Sequence, residues 1–354
     1  RRAASRGPRA VDARTASQRQ PPELLQYGPL DLNTMCLYLQ ARDAFMANSP
    51  EAVALHAAAR ARAPHHPILR LGYWMARVGV TLFSQELTPD LLASLRGETE
   101  AAIAEFEELG DPYLAMATIL FAANDAVGCA RYLEEALARD PNLAPARLLR
   151  AKLLTALGRF AEAERELGLG LAVSRNNPML GRGRAEIAAR QGRWDEFYAL
   201  VEGELAARRA PGPLVVRNMF PQPRQEVLGR IVAGRLDDRA AQLSPSDADA
   251  RTMALFLLRH DERRGLFERF SAAHASDRRS MITVQYAKIV CEMACMVEDH
   301  DRAEDQLARL NQHGLVDIHW IDHSPILAPL RHGRCFAELQ SRAHEQARGL
   351  SSAL

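Results

Sequence analysis

A period of about 34 residues between equivalent positions is the feature that most constrains how this chain folds. Gly158 and Gly192 stand one such period apart, and each lies between two amphipathic segments of helical length. One further period toward the N-terminus reaches Asn124. Glycine and asparagine tolerate the left-handed backbone that ends many helices. A period of this length predicts an array of helix pairs, in which each pair buries its apolar face against its neighbours.

Small and large apolar residues recur within this period. We expect small side chains where the two helices of a unit cross closely, and larger apolar ones at the adjoining core contacts. Phe197 departs from this pattern at a small position. Pro141 and Pro178 stand where one unit ends and the next helix begins. The predicted small positions are Ala117, Ala151, Ala185, Cys129 and Ala163, and the larger core positions are Leu133, Leu167 and Val201.

The register over residues 110–210 resembles the tetratricopeptide repeat (TPR), with looser units at 34–64, 248–275 and 281–314. The resemblance implies an all-α, TPR-like solenoid of antiparallel helix pairs, arranged as one array or as two sub-arrays. Stability in such an array comes from the stacking of neighbouring units.

Residues 314–340 resemble the closing segment of certain bacterial TPR arrays. Those arrays are C-terminal modules of winged-helix transcriptional activators, class III adenylate cyclases or Ser/Thr kinases. The resemblance implies a regulatory or sensor domain that binds a peptide, protein or small molecule and controls an attached output domain, foremost in a bacterial transcriptional regulator. The alternative is an interaction scaffold, or the regulatory end of a kinase or cyclase. The matching residues are Trp320, Pro325, Leu327, Pro329, Leu330, Arg331, Arg334 and Phe336.

The chain divides into segments of different character. Residues 1–30 carry six arginines against one aspartate and one glutamate and lack an apolar period, which predicts a flexible basic linker. The chain does not begin with methionine, and we expect it to be a fragment whose missing part holds the output activity. The other predicted segments are an N-terminal TPR array at 31–210, a proline-rich joint at 211–224, a C-terminal TPR-like array with its closing segment at 225–345, and a tail at 346–354.

Composition excludes several classes of protein. Lys+Arg total 45 against Asp+Glu 44, so the chain is not a uniformly basic nucleic-acid binder, and we expect no direct nucleic-acid binding. No apolar run approaches the about 20 residues of a membrane helix, and no secretory signal is visible. Five widely spaced cysteines indicate reduced thiols and a cytoplasmic location.

Motifs for catalysis are absent from the sequence. It has no phosphate-binding loop, no kinase signature and no nucleophile elbow, so we predict neither an enzyme nor a cofactor site. His319 and His323 are four residues apart near Asp317 and could suit zinc, but surface histidines beside a turn are the favoured interpretation. Cys291 and Cys295 share this spacing and are interpreted as packed thiols.

The first helices of the repeats supply the candidate binding site, because TPR arrays bind partners in a groove that these helices line. Lys152, Arg182 and Arg190 are predicted to form a cationic strip, directed away from the inter-repeat core, for an acidic protein or peptide or a C-terminal carboxylate. A solvated helix face is the alternative, and whether the chain forms homo-oligomers stays open. The candidate groove residues are Leu114, Thr118, Phe121, Leu148, Lys152, Thr155, Arg182, Glu186, Ala189 and Arg190.

Overall fold

The structure, a computed structural model, is all-α and confirms the predicted fold class. Over the described residues the chain forms helices and turns, with no strand among them. Two compact units are present, Arg1–Thr81 and Leu82–Leu354. The described residues are 28–46, 51–84, 87–175, 177–207, 213–220, 229, 232–235, 245–275 and 283–354.

Helices follow one another along the chain. The first unit contains α1 (Leu32–Met46), α2 (Ala52–Arg62) and most of α3 (Pro67–Ser84). The second continues with α4 (Pro89–Glu105), α5 (Gly110–Ala122), α6 (Ala126–Arg139), α7 (Ala144–Ala156), α8 (Phe160–Val173), α9 (Pro178–Arg190) and α10 (Trp194–Ala206). Its later helices are α11 (Pro213–Arg217), α12 (Pro245–Leu258), α13 (Arg263–Ala273), α14 (Thr283–Met296), α15 (His300–His313), α16 (Ile318–His323) and α17 (Arg334–Ala353), with 3-10 turns at His260–Glu262 and Pro325–Leu330.

We call the helix pairs α5–α6, α7–α8 and α9–α10 the first, second and third repeats. In each repeat, a turn of the same kind joins the first helix to the second. Asn124, Gly158 and Gly192 are left-handed, with φ of 61°, 74° and 70°. In each turn the next N–H donates to a carbonyl five residues back, which ends the first helix and starts the second. The same turn joins α14 to α15 at Glu298, with φ of 59°. The sequence predicts a looser unit at 281–314 but does not locate its turn, because glutamate is not a typical helix-ending residue.

The small positions of the repeat lie where the helices cross. Ala117, Cys129 and Ala163 are completely buried, and Ala151 and Ala185 are nearly so. The departure at Phe197 is accommodated by aromatic packing. Its ring is completely buried and meets Trp194 and Tyr198 edge to face, with ring centroids 6.1 and 5.4 Å away.

Two predicted segment boundaries differ from those in the structure. Within the predicted joint at 211–224, residues 213–217 form α11, and Val216 and Phe220 are buried in the core that extends from α9 to α17. The compact units divide at Thr81, not at this joint. Residues 346–353, predicted as a tail, continue α17. Of the predicted linker, residues 1–27 lie outside the described part of the chain, as do 221–224 of the joint.

Helix α17 closes the second unit on itself. It packs against α15 and also against α6, the second helix of the first repeat. Leu350 is completely buried, and a Cβ atom on Gly349 would lie 3.4 Å from Val127 of α6. Arg150 of α7 donates a hydrogen bond to the main-chain oxygen of Leu354 at 3.2 Å. The end of the described chain is therefore held by the first two repeats.

Leucine at Ala163 tests the repeat register. Extra carbon atoms at a completely buried helix crossing should overpack it, and we expect Ala163→Leu to lower the free energy of unfolding by about 1–3 kcal/mol. Ala151→Leu should behave alike. Urea denaturation measures the change. Ala172→Leu is the control, because Ala172 is exposed on the same helix. Equal stability of all three variants and the native chain would rule out the assigned register.

His56 provides a pH test in the first unit. It is buried against Tyr38 and beside Gly72, where an added Cβ would lie 2.8 Å from the imidazole. Burial lowers its pKa to about 4, and Arg42 adds to the effect. Because the unfolded imidazole has a pKa of about 6.5, the stability that neutral His56 contributes is complete above pH 6.5 and is lost as the pH falls toward 4.

Hydrogen exchange of the α2 amides should therefore show less protection at pH 5 than at pH 7, after correction for intrinsic exchange rates. The non-titrating variant His56→Gln should show a smaller difference. An identical pH response of the two proteins would mean that His56 is not responsible.

Candidate functional site

Most apolar and hydroxyl residues of the predicted groove are buried or form hydrogen bonds within the fold. Leu114 and Thr155 are buried. The hydroxyls of Thr118 and Thr155 donate to carbonyls one turn earlier, at 2.8 and 2.7 Å. Phe121 and Leu148 are half-buried and retain some accessible apolar surface. Polar contacts to a partner must therefore come from the charged members of the set.

The three predicted cations do not form a strip of unpaired charges. Arg182 Nε lies 3.4 Å from Glu204 on α10. Arg190 is bound on two sides, by Glu186 at 2.8 Å and by Asp317 at 2.7 Å, and only 9% of its side chain is exposed. Arg190 thus faces the interior and not solvent, contrary to the sequence-based expectation, because the closing segment supplies a carboxylate to it.

Lys152 differs from both arginines. Its side chain is exposed, and no described residue makes an ion pair or hydrogen bond with it. The surrounding protein nevertheless desolvates the ammonium and lowers its pKa, while Glu186 on the adjacent first helix acts in the opposite direction. Lys152 is therefore exposed to solvent, while nearby protein atoms lower the pKa of its ammonium group.

A cluster of six charged residues lies beside Lys152. Its cations are Arg190, Arg217 and Lys288, and its anions are Glu186, Glu292 and Asp317, so its formal charge is zero. They belong to α9, α11, α14 and the residue that precedes α16. We call this set the charge cluster.

Asp317 is the centre of the charge cluster. Its two oxygens accept hydrogen bonds from both terminal nitrogens of Arg190, at 2.7 and 2.8 Å. One of these oxygens also accepts a hydrogen bond from Lys288 Nζ at 2.5 Å. Asp317 in addition caps α16 by accepting the N–H of Trp320 at 3.1 Å. Burial by itself would raise the pKa of Asp317, but Arg190 and Lys288 outweigh that effect and hold the pKa well below its usual range.

Trp320 connects the two halves of the charge cluster. Its indole Nε1 donates to Glu292 at 2.6 Å, and its ring lies 5.1 Å from Lys288 Nζ. Glu292 also pairs with Arg217 at 3.3 Å, and both side chains are 6% exposed. Burial lowers the pKa of Lys288 to about 8, while Asp317 opposes this shift. A buried network of this kind positions elements, although Arg217 Nη1 and Glu292 Oε2 make no hydrogen bond within it.

Sequence reasoning missed the charge cluster, although one signal is present. Lys288 and Glu292 are charged residues inside an otherwise apolar helix, where burial requires a partner. Their partners on other elements cannot be read from periodicity.

The histidines of the closing segment lie apart from any metal arrangement. His319 is half-buried with its ring 4.8 Å from Phe160, and burial lowers its pKa to about 4. His323 is exposed, and Asp317 is already bound to Arg190 and Lys288. Across the described ranges, no three His, Cys, Asp or Glu residues are placed to hold a metal ion. Cys291 is completely buried in α14, whereas Cys295 retains 8% exposure.

Replacing Asp317 tests whether the charge cluster holds the closing segment. Asp317→Asn leaves Arg190 and Lys288 without their shared carboxylate, and we expect a loss of stability of about 3–5 kcal/mol. Amide exchange of Ile318–His323 and thermal unfolding measure it. Asp322→Asn is the matched control, because Asp322 makes a more exposed pair with His344 and should cost about 0–1 kcal/mol. Similar losses in both variants would contradict this role.

Comparison with known proteins agrees with the helical architecture. A profile of the tetratricopeptide repeat family matches residues 120–187, which extend from the end of α5 into α9. A search of curated proteins finds no match. In the part of the chain that the structure describes, no helix has both the length and the apolar character needed to cross a membrane. The profile and the helix pairs together support a TPR-type helical domain, an architecture that serves as a scaffold for protein interaction.

Proposed function

We propose that this domain is a non-enzymatic regulatory or sensor module that binds a protein or peptide partner at the first-helix face of α5, α7 and α9. The observation that carries the proposal is the state of Lys152 on the first helix α7, an exposed cation that makes no ion pair or hydrogen bond with a described residue and whose pKa the surrounding protein lowers. A carboxylate placed beside it would compensate the charge where water does so poorly.

The revised anchor set is smaller than the predicted strip. Lys152 is the principal anchor, and Arg182 can contribute at the edge, since 30% of its side chain is exposed beside Glu204. Arg190 is excluded from the anchor set because its guanidinium already forms an ion pair with Asp317. Phe121 and Leu148 supply apolar contact next to the cation. This combination favours an acidic segment with apolar residues.

Control of an attached output domain forms the second part of the proposal. The resemblance of the closing segment to bacterial TPR arrays supports an output domain of the winged-helix transcriptional type. A stand-alone scaffold, or the regulatory end of a kinase or adenylate cyclase, is the alternative. Determining the sequence of the full-length gene product distinguishes these alternatives directly.

Charge reversal at Lys152 tests the binding face. We expect Lys152→Glu to remain folded, because the side chain is exposed, and to weaken partner binding by about 1.5–3 kcal/mol, or roughly 10- to 100-fold. The measurement is retention of proteins from an extract of the source organism on the immobilised domain, followed by titration of the purified partner.

Arg165→Glu is the matched control, because Arg165 is 69% exposed on the second helix α8. Lys152→Arg should retain binding. If Lys152→Glu keeps the partners of the native domain and leaves the output of the full-length protein unchanged, the first-helix face is only a solvated surface and the proposal fails.

A further inference from the structure

A recess lies in the third repeat, between α9 and α10. It is an open depression with a volume of about 430 Å³, bounded by the end of α8 and by α11. We call it the repeat-three groove. Its walls are largely apolar, and two arginines, Arg175 and Arg184, stand at its rim. Apolar lining is provided by Leu171, Pro178, Ala199, Leu200, Ala207 and Val215.

The preceding repeat fills the same place with an ion pair. There Arg147 of α7 binds Glu166 of α8 at 2.7 Å, with only 14% and 15% of the side chains exposed. At the equivalent positions one repeat period later stand Gly181 and Leu200. A Cβ atom on Gly181 would meet nothing within 4 Å. The groove therefore exists because the third repeat lacks the pair that occupies this space one repeat earlier.

Arg184 has fewer carboxylates near it than the equivalent arginine of the second repeat. Its counterpart in the second repeat is Arg150, which lies 3.6 Å from Glu134 and 3.9 Å from Glu166. The counterparts of these two acids are Gly168 and Leu200. Arg184 instead makes a 3.3 Å pair with Glu196, in which both side chains are substantially exposed, at 47% and 33%.

Other charges around the groove do not reverse this positive rim. Glu204 lines the groove, but Arg182 lies 3.4 Å from it and balances its charge. Arg175 is exposed beside the end of α8 and forms no ion pair with a described residue. An apolar recess with two exposed guanidinium groups at its edge complements a ligand that is both apolar and anionic.

We propose that the repeat-three groove binds a segment of a protein partner in which a large apolar side chain stands next to a carboxylate. The apolar side chain occupies the space above Gly181 and against Leu200. The carboxylate takes the place that Glu166 has beside Arg150 in the second repeat and pairs with Arg184. This surface is separate from Lys152, so the proposal does not depend on binding at the first-helix face.

Grafting the missing pair into the groove provides the test. Gly181→Arg combined with Leu200→Glu should fold, because the same pair in the same register is present in the second repeat. The probes are fluorescently labelled 12-residue peptides that carry one Leu or Phe flanked by two Glu, and matched peptides with Lys in place of Glu. We expect anisotropy titrations to show binding of the acidic peptides only, and at least a tenfold loss in the grafted variant.

Controls separate this surface from others. All titrations use the Lys152→Glu background, which removes the anchor of the first-helix face. In that background Arg184→Glu should weaken binding of the acidic peptides at least tenfold, whereas Arg165→Glu should leave it unchanged. Equal binding of acidic and basic peptides, no binding of either, or full binding to the grafted variant would each overturn the proposal. Sedimentation of the native chain as a dimer that the graft converts to a monomer would also overturn it, since the occupant would then be a second copy.

Discussion

The two-fold hydrogen bond between Arg190 and Asp317 is the interaction on which the closing segment depends. It joins the end of a repeat helix to a residue 127 positions later in the chain. Asp317 at the same time caps α16 and binds Lys288, so one carboxylate positions the helix, its Trp320 and the cation beneath it. Loss of that carboxylate leaves buried cations that water cannot reach, and this penalty is what makes the contact decisive.

Net neutrality explains why such a cluster can be buried. Three cations and three anions are desolvated together, and each ion pair or charge-assisted hydrogen bond offsets part of that cost only in one arrangement. Apolar packing alone would tolerate a shift of α16 along the helices it packs against. The two parallel hydrogen bonds from Arg190 to Asp317 would not, because they require one relative position of the two residues. The charge cluster thereby fixes the closing segment against α9 and α14, and Lys152 on the neighbouring α7 remains exposed.

The repeats share a skeleton but differ in the surfaces between their helices. The second and third repeats both keep the left-handed turn and the small residue of the first helix, whereas Phe197 replaces the small residue of the second helix in the third repeat. Residues outside these positions can vary without loss of the fold. The change from Arg147 and Glu166 in one repeat to Gly181 and Leu200 in the next converts a filled seam into an apolar groove. Differences between repeats therefore give each pair of helices its own surface.

The sequence by itself determined the helix pairs, their turns at Asn124, Gly158 and Gly192, and the buried small positions. These features are local and repeated, so helical periodicity and a left-handed glycine or asparagine suffice to locate them. Periodicity also placed Arg190 on the first-helix face, but it could not identify Asp317 as the residue that pairs with Arg190. Only the tertiary structure decided that Arg190 is buried while Lys152 is exposed, because a charge's environment depends on which distant carboxylate the closed chain brings to it.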